Sequence, residues 1–219
     1  MNSPNSIGRL RGPAYILMKV RPGSSNDIAK RLIEEYDKHI AYAMGVWGPW
    51  DVVVRATTAN TEELVEFLEK QQQKELNLLR TETLIIRSDQ KQIYKPSTTI
   101  TPNAGGWAIL LLTTAGRRTQ DLLCNFDTDN NSGNGFSICN GRLKDNEVVI
   151  LDGAGVLGQY DIILTVRYAE DKFLAKFVME YLQLQLEEGN TTTRPAIQGM
   201  TYPEIYGCEY PERNGPTWH

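Results

Sequence analysis

The sequence predicts an α+β protein made of two similar halves, each with the element order β-α-β-β-α-β. The repeat is predicted by the stretch GVWGPWD at 45–51, which returns as GVLGQYD at 155–161, 110 positions later. The same offset continues downstream, where WDVVVRATTANTEELVEFLEK at 50–70 aligns with YDIILTVRYAEDKFLAKFVME at 160–180 without a gap. The element order is predicted by short apolar runs that alternate with helical apolar stripes.

The elements of the first half follow from its local patterns. The apolar run AYILMKV predicts a buried strand, and Ser24 with Asp27 three residues later predicts the capped start of a helix. The runs HIAYAMGVW and DVVVRAT predict two strands that the glycine-containing turn joins. A second helix is predicted after Asn60, and RTETLIIR supplies the last strand.

The second half repeats this order with extra residues between its first strand and its turn. AILLLT at 108–113 matches YILMKV at 15–20 with an offset of only 93, so the second half is longer by 17 residues. We place the insertion near 124–143 and predict a polar loop there. Asp127 and Asp129 alternate as calcium ligands do, but Ser132 and Ile138 stand where the calcium loop needs Gly and Glu.

The segment 89–105 is polar and contains Pro and Gly, which predicts a linker. The predicted organisation is therefore an N-terminal arm at 1–12, domains at 13–88 and 106–200, and an extended C-terminal arm at 201–219.

Composition excludes several function classes. The formal net charge of −4 argues against direct binding of nucleic acid. The three cysteines lack C-x-x-C spacing, so neither a disulfide framework nor a zinc site is predicted. No secretory signal and no apolar run of membrane-spanning length is present, which predicts a cytoplasmic protein without membrane contact. The histidines are His39 and His219, and no catalytic motif surrounds either. We predict no catalytic residue, cofactor or metal.

The repeated unit resembles a known family. The element order, the Gly-x-aromatic-Asp turn, the helix after it and the Thr-x-Thr strand are similar to the effector-binding domain of the Lrp/AsnC transcription regulators. The resemblance implies two tandem ferredoxin-like (βαββαβ) domains with antiparallel sheets. Only about a dozen residues precede the first strand, so the DNA-binding helix-turn-helix of that family has no place in this sequence.

The resemblance also implies a function. It suggests a regulatory protein that senses an amino-acid-like metabolite at domain or subunit interfaces, assembles into homo-oligomers and acts on a partner such as a full-length transcription regulator. The turn residues would bind the ligand through carboxylate oxygens and exposed backbone N–H groups. The predicted ligand-binding residues are Gly48, Trp50, Asp51, Thr81, Thr83, Gly158, Tyr160, Asp161, Thr191 and Thr193.

Each of these residues also has a structural interpretation. Asp after a tight turn commonly accepts hydrogen bonds from the turn itself, and Thr is frequent in strands for its β-propensity alone. Two other functions stay open. One is an enzyme of the ferredoxin-like, small-monooxygenase kind that acts on an apolar substrate between sheet and helix. The other is a purely structural oligomer.

Overall fold

A computed structural model of the chain describes most of both halves. The described residues are 14–36, 40–56, 66, 69, 78–87, 89–94, 106–114, 118–131, 135–138, 141–144, 147–186 and 193–197. The two predicted terminal arms, His39, Thr191 and most of the predicted second helix of the first half lie outside them.

The predicted strands of both halves occur in the predicted order, and β5, β7 and β8 are additional to them. The strands are β1 (Ala14–Val20), β2 (Ile40–Gly45), β3 (Val52–Ala56), β4 (Leu78–Ile86), β5 (Gln92–Tyr94), β6 (Gly106–Leu112), β7 (Ser137–Ile138), β8 (Gly141–Arg142), β9 (Val148–Leu157), β10 (Ile162–Tyr168) and β11 (Thr193–Ile197). The helices are α1 (Ser25–Tyr36), α2 (Thr119–Asn131), α3 (Asp171–Lys176), a π-helical segment (Phe177–Leu182) and α4 (Gln183–Gln185).

The strands are antiparallel, which confirms the predicted α+β class. Their order is β11-β6-β10-β9-β4-β1-β3-β2, with β5 paired to β9 beside that path. Each half therefore places its first strand between its last and its third. The halves join where β4 pairs with β9 through Ile85–Leu157 and Ile86–Val156.

The continuous strand order has one part in each half, and we call β1–β4 the first sheet and β5, β6 and β9–β11 the second sheet. Because side chains alternate across each strand, the chain forms four layers, which are α1, the first sheet, the second sheet and the helices of the second half. Ala14, Ile16 and Met18 face α1 and pack with Leu32, while Tyr15 and Leu17 face the second half. In the second half, the layer between sheet and helices is the largest buried cluster. The third cluster lies between the two sheets and mixes residues of both halves, so the halves share one inner core.

Two segments differ from the sequence-based prediction. The region near 124–143 was predicted as a polar loop, but residues 124–131 continue α2. Asn130 makes this possible, because its buried amide donates to the Ile150 carbonyl (2.8 Å) and accepts from the Ile150 N–H (3.1 Å). Within the predicted linker, residues 92–94 form β5. Within the described residues, each helix is too short or too polar to cross a lipid bilayer.

Candidate functional site

The two repeated turns have the same backbone hydrogen bonds. Val46 N–H donates to the Asp51 carbonyl and Val156 N–H donates to the Asp161 carbonyl, both at 2.9 Å. Asp51 N–H reaches the Met18 carbonyl at 2.9 Å, and Asp161 N–H reaches the Leu112 carbonyl at 2.8 Å. Each turn is thus tied to the first strand of its own half.

The turn carboxylates bind their own chain. Asp51 accepts from Val20 N–H (2.9 Å) and from Lys19 Nζ (2.8 Å). Asp161 accepts from the Thr114 N–H at 2.5 Å and from the Thr114 hydroxyl at 3.3 Å. These bonds fit the structural interpretation, in which the acid fixes the turn.

The remaining predicted ligand-binding residues lie on different faces. Trp50 and Tyr160 are buried between the sheets. Thr81 and Thr83 are half-buried on β4 opposite Met18 and Ile16, hence on the side of the first sheet that faces α1. Thr193 begins β11 at the other end of the strand order. The described structure therefore does not gather these residues into one place.

Gly48 and Gly158 both have positive φ angles, at 143° and 153°. A Cβ at Gly158 would also lie 2.5 Å from Leu84 Cδ2. We therefore expect Gly158→Ala to lower the free energy of unfolding by about 1–3 kcal/mol. Urea unfolding of this variant checks it, with Gly141→Ala as control, where φ is also positive but the space is open. Equal losses in the two variants would show that crowding at Gly158 is unimportant.

A second set of residues, outside the turns, forms a buried polar cluster between the sheets. This inter-sheet cluster consists of Tyr15, Tyr42, Arg55, Asp152 and Thr165, all at most 4% exposed. Asp152 Oδ2 accepts from the Tyr15 hydroxyl at 2.7 Å, the Tyr42 hydroxyl at 3.2 Å and Arg55 Nε at 3.2 Å. The Arg55 guanidinium also lies over the Tyr15 ring, 4.5 Å from its centroid. A charged pair and two phenols thus meet inside an apolar core.

The two halves supply the cluster from equivalent positions. Tyr42 and Asp152 are 110 residues apart, as are Arg55 and Thr165, which is the offset of the turns. Tyr42 pairs with Arg55 and Asp152 pairs with Thr165, and a register irregularity adjoins each pair. Such irregularities are frequent beside active sites because they redirect side chains. The scaffold is similar in the two halves, but the side chains that it carries are different.

The contacts of Asp152 cross between the halves. Its three partners at Oδ2 all belong to the first half, while its strand neighbour Thr165 instead bonds the Tyr42 hydroxyl at 2.7 Å. The other oxygen, Asp152 Oδ1, is buried and has no hydrogen-bond partner among the described residues. A buried acceptor without a partner costs about 1–3 kcal/mol.

Both phenols of the cluster are held in the neutral form. Burial is the main cause and raises the pKa of Tyr15 and of Tyr42 well above the ordinary value, and the charge of Asp152 acts in the same direction. Arg55 opposes the shift of both. The tyrosines therefore act as hydrogen-bond donors to Asp152.

These shifts predict loss of stability at alkaline pH. Tyrosine in the unfolded chain titrates near pH 10, while the folded pKa is higher, so the stabilisation is complete below about pH 10 and declines as the pH rises further. Tyr15→Phe should show a shallower decline of the free energy of unfolding above about pH 10 than the wild type. Urea unfolding along a pH series measures both, and parallel declines would contradict the assignment.

Sequence reasoning missed the inter-sheet cluster. Its signal was present, since Arg55 and Asp152 interrupt the apolar runs VVVRA and VVILDGAGVL, and charged residues are almost never fully buried without a partner. The partners could not be paired from sequence because they come from opposite halves.

No family model matches the sequence, and no curated protein sequence matches it. Several solved structures match the fold. A variant of chlorite dismutase from Candidatus Nitrospira defluvii matches with a TM-score of 0.50 and 13% identity, over 85% of this chain and 90% of that one. A heme-binding protein from Thermus thermophilus matches with 0.45 and 11% identity, over 86% and 92%. An anthrone oxidase-like protein matches with 0.46 and 7% identity, over 92% and 96%.

These comparisons correct the family that the sequence suggested. The fold matches that of the chlorite dismutase variant over 85% of this chain, so the resemblance to the Lrp/AsnC effector-binding domain is wrong. The functions drawn from it, sensing of an amino-acid-like metabolite and action on a transcription regulator, are wrong with it. The repeated turn suggested the wrong family because its sequence reflects the geometry of the connection between two strands. Unrelated families with this arrangement of strands can share such a turn.

Proposed function

We propose that the chain is an enzyme of the ferredoxin-like, small-monooxygenase kind, which oxidises an apolar small molecule with O₂. In this proposal, residues 13–88 and 106–200 form two tandem ferredoxin-like units, and the substrate binds between their sheets at the inter-sheet cluster. This location differs from the sheet-helix cavity that the sequence suggested for such an enzyme. Support for the two units comes from the matching strand orders and turn hydrogen bonds of the halves.

One observation carries the proposal. Asp152 directs one oxygen to Tyr15, Tyr42 and Arg55, while its other oxygen is buried and has no hydrogen-bond partner in the part of the chain that the structure describes. Replacing a buried ion pair with apolar residues is often neutral or stabilising, so packing alone does not explain such a group. Buried, perturbed titratable groups that converge in an apolar region are typical of functional sites.

The geometry gives each residue a role. Asp152 Oδ1 would accept a hydrogen bond, and then a proton, from the polar group of the substrate. Arg55 and the two neutral tyrosines hold the carboxylate in place and stabilise its charge. The surrounding side chains, including Leu17, Leu111 and Ile163, form apolar walls. O₂ would be the oxidant: one of its atoms would become a carbonyl oxygen on a C–H carbon of the substrate, and the other would leave as water with the hydrogens of that C–H and of the polar group.

One matching structure is a heme-binding protein, so haem is a cofactor to consider, and it would fit only where the chain supplies an axial ligand. Haem iron takes axial His, Cys, Met or Tyr ligands. The sequence has no histidine between residues 40 and 218. Both cluster tyrosines are kept neutral and bonded to Asp152, which opposes ligation as phenolates. Met44 is also buried in the inter-sheet layer, but methionine ligates haem together with a histidine, and no described residue is a histidine. We therefore derive no step through haem.

The packing of the second half agrees with this result. The layer between its sheet and helices is filled by the rings of Phe126, Phe136, Phe177 and Tyr181, with neighbouring centroids 4.8–6.0 Å apart. Tyr181 donates to Asp129 at 2.7 Å, and burial together with this bond raises its pKa. A flat macrocycle would have to displace these rings.

An oxygen electrode tests the proposed function. Wild-type protein should consume O₂ with some member of a panel of apolar aromatic substrates, and Asp152→Asn should lower the rate by about 100-fold, within the range for a lost general base. Asp89→Asn is the matched control, because Asp89 is an exposed carboxylate that pairs with Arg87. Equal rates in wild type and Asp152→Asn would contradict the proposal. A Soret band on addition of haem, together with O₂ consumption only when haem is present, would show that the protein is a haem enzyme instead.

A further inference from the structure

We infer that the ligand of the inter-sheet cluster is a neutral, apolar compound with one O–H or N–H donor, and that this donor binds Asp152 Oδ1. The inference rests on the proposed function only for the location of the site. It adds the chemical class of the ligand.

The donor requirement follows from the hydrogen bonds already made. Tyr15, Tyr42 and Arg55 each donate to Asp152 Oδ2, so the carboxylate is held in one orientation. Oδ1 is then the acceptor that no side chain of the described structure satisfies. An ionised carboxylate only accepts hydrogen bonds, so the ligand atom next to Oδ1 must carry a hydrogen.

The neutrality of the ligand follows from charge balance. Arg55 and Asp152 cancel each other, and burial keeps Tyr15 and Tyr42 uncharged. An added charge would be buried without a counter-ion, which is strongly unfavourable. The surrounding residues are apolar or aromatic, so the rest of the ligand must also be apolar.

The fold offers a route to the cluster. Tyr42 lies on β2, which ends the strand order, and no strand among the described residues pairs with the outer edge of β2. The register irregularity between Ile40 and Tyr42 interrupts the pairing of β2 with β3 beside the cluster. Opening of an edge strand at an irregular position disturbs fewer hydrogen bonds than opening of a central strand.

Calorimetry with naphthol and its methyl ether tests the inference. The two probes share the ring, but only naphthol has an O–H donor. We expect the wild type to bind naphthol at least about tenfold more tightly, since a hydrogen bond to a charged group accounts for that ratio. In Asp152→Asn the amide oxygen should take the place of Oδ2, because it faces the donors Tyr15, Tyr42 and Arg55. The NH₂ group then replaces Oδ1 and cannot accept a hydrogen bond, so the preference for naphthol should disappear.

One further variant keeps the test decisive. Asp89→Asn changes an exposed carboxylate outside the inter-sheet cluster and should keep the preference of the wild type. Equal affinity for both probes in the wild type, or binding of neither, would overturn the inference. A preference for naphthol without O₂ consumption would support the inferred ligand class and contradict the proposed oxidation. O₂ consumption at equal rates with both probes would support the proposed oxidation and contradict the ligand class.

Discussion

Asp152→Ala is expected to lower the free energy of unfolding by about 3–5 kcal/mol, because it leaves the buried Arg55 guanidinium without its carboxylate. The two side chains are only 3% and 5% exposed, and Arg55 Nε lies 3.2 Å from Asp152 Oδ2. Tyr15 and Tyr42 lose an acceptor in the same variant. Chemical denaturation of wild type and variant measures the difference.

A double variant separates the lost pair from simple loss of volume. Arg55→Met together with Asp152→Leu removes both charges and keeps the core filled, so it should be much less destabilising than Asp152→Ala alone. If the double variant loses as much stability as the single one, the charge-pair explanation fails.

Phe177→Ala is expected to lower the free energy of unfolding by about 3–5 kcal/mol, the usual cost of a large cavity in an aromatic core. Phe177 is fully buried and its ring centroid lies 4.8 Å from that of Phe136 and 5.3 Å from that of Tyr181. Thermal and urea unfolding provide the measurement.

Phe173→Ala is the matched control for this prediction. Phe173 lies one helical turn earlier, is only partly buried and contacts Lys172, so its loss should be clearly smaller. A loss at Phe177 no greater than at Phe173 would mean that the layer between sheet and helices is loosely packed and has room for a larger group.

The fold class and many strands could be predicted because a local run of apolar residues marks each of these strands. Apart from Lys19, AYILMKV is apolar, as is the second-half run around Leu110, since one side of each faces helices and the other faces the opposite sheet. No local sequence pattern marks the end of α2. It depends on Asn130 binding the backbone of Ile150, twenty residues away in the chain, and polar residues at 124–131 otherwise indicate a loop.

The candidate site could not be predicted because its chemistry depends on contacts between the halves. Asp152 and Tyr15 are 137 residues apart in sequence and meet only when the sheets pack. Asp51 and Asp161 were predicted to bind a ligand because the turn that contains them is repeated. In the structure, each accepts a backbone N–H hydrogen bond that fixes its turn. The distinctive residues are those at which the halves differ, Tyr42 against Asp152 and Arg55 against Thr165.

A crystal structure of the protein soaked with naphthol tests the central claim most directly. The account predicts that the ring lies between the two sheets, with its hydroxyl oxygen within hydrogen-bond distance of Asp152 Oδ1. Density for naphthol only between a sheet and its helices, or only on the outer surface, would contradict the account.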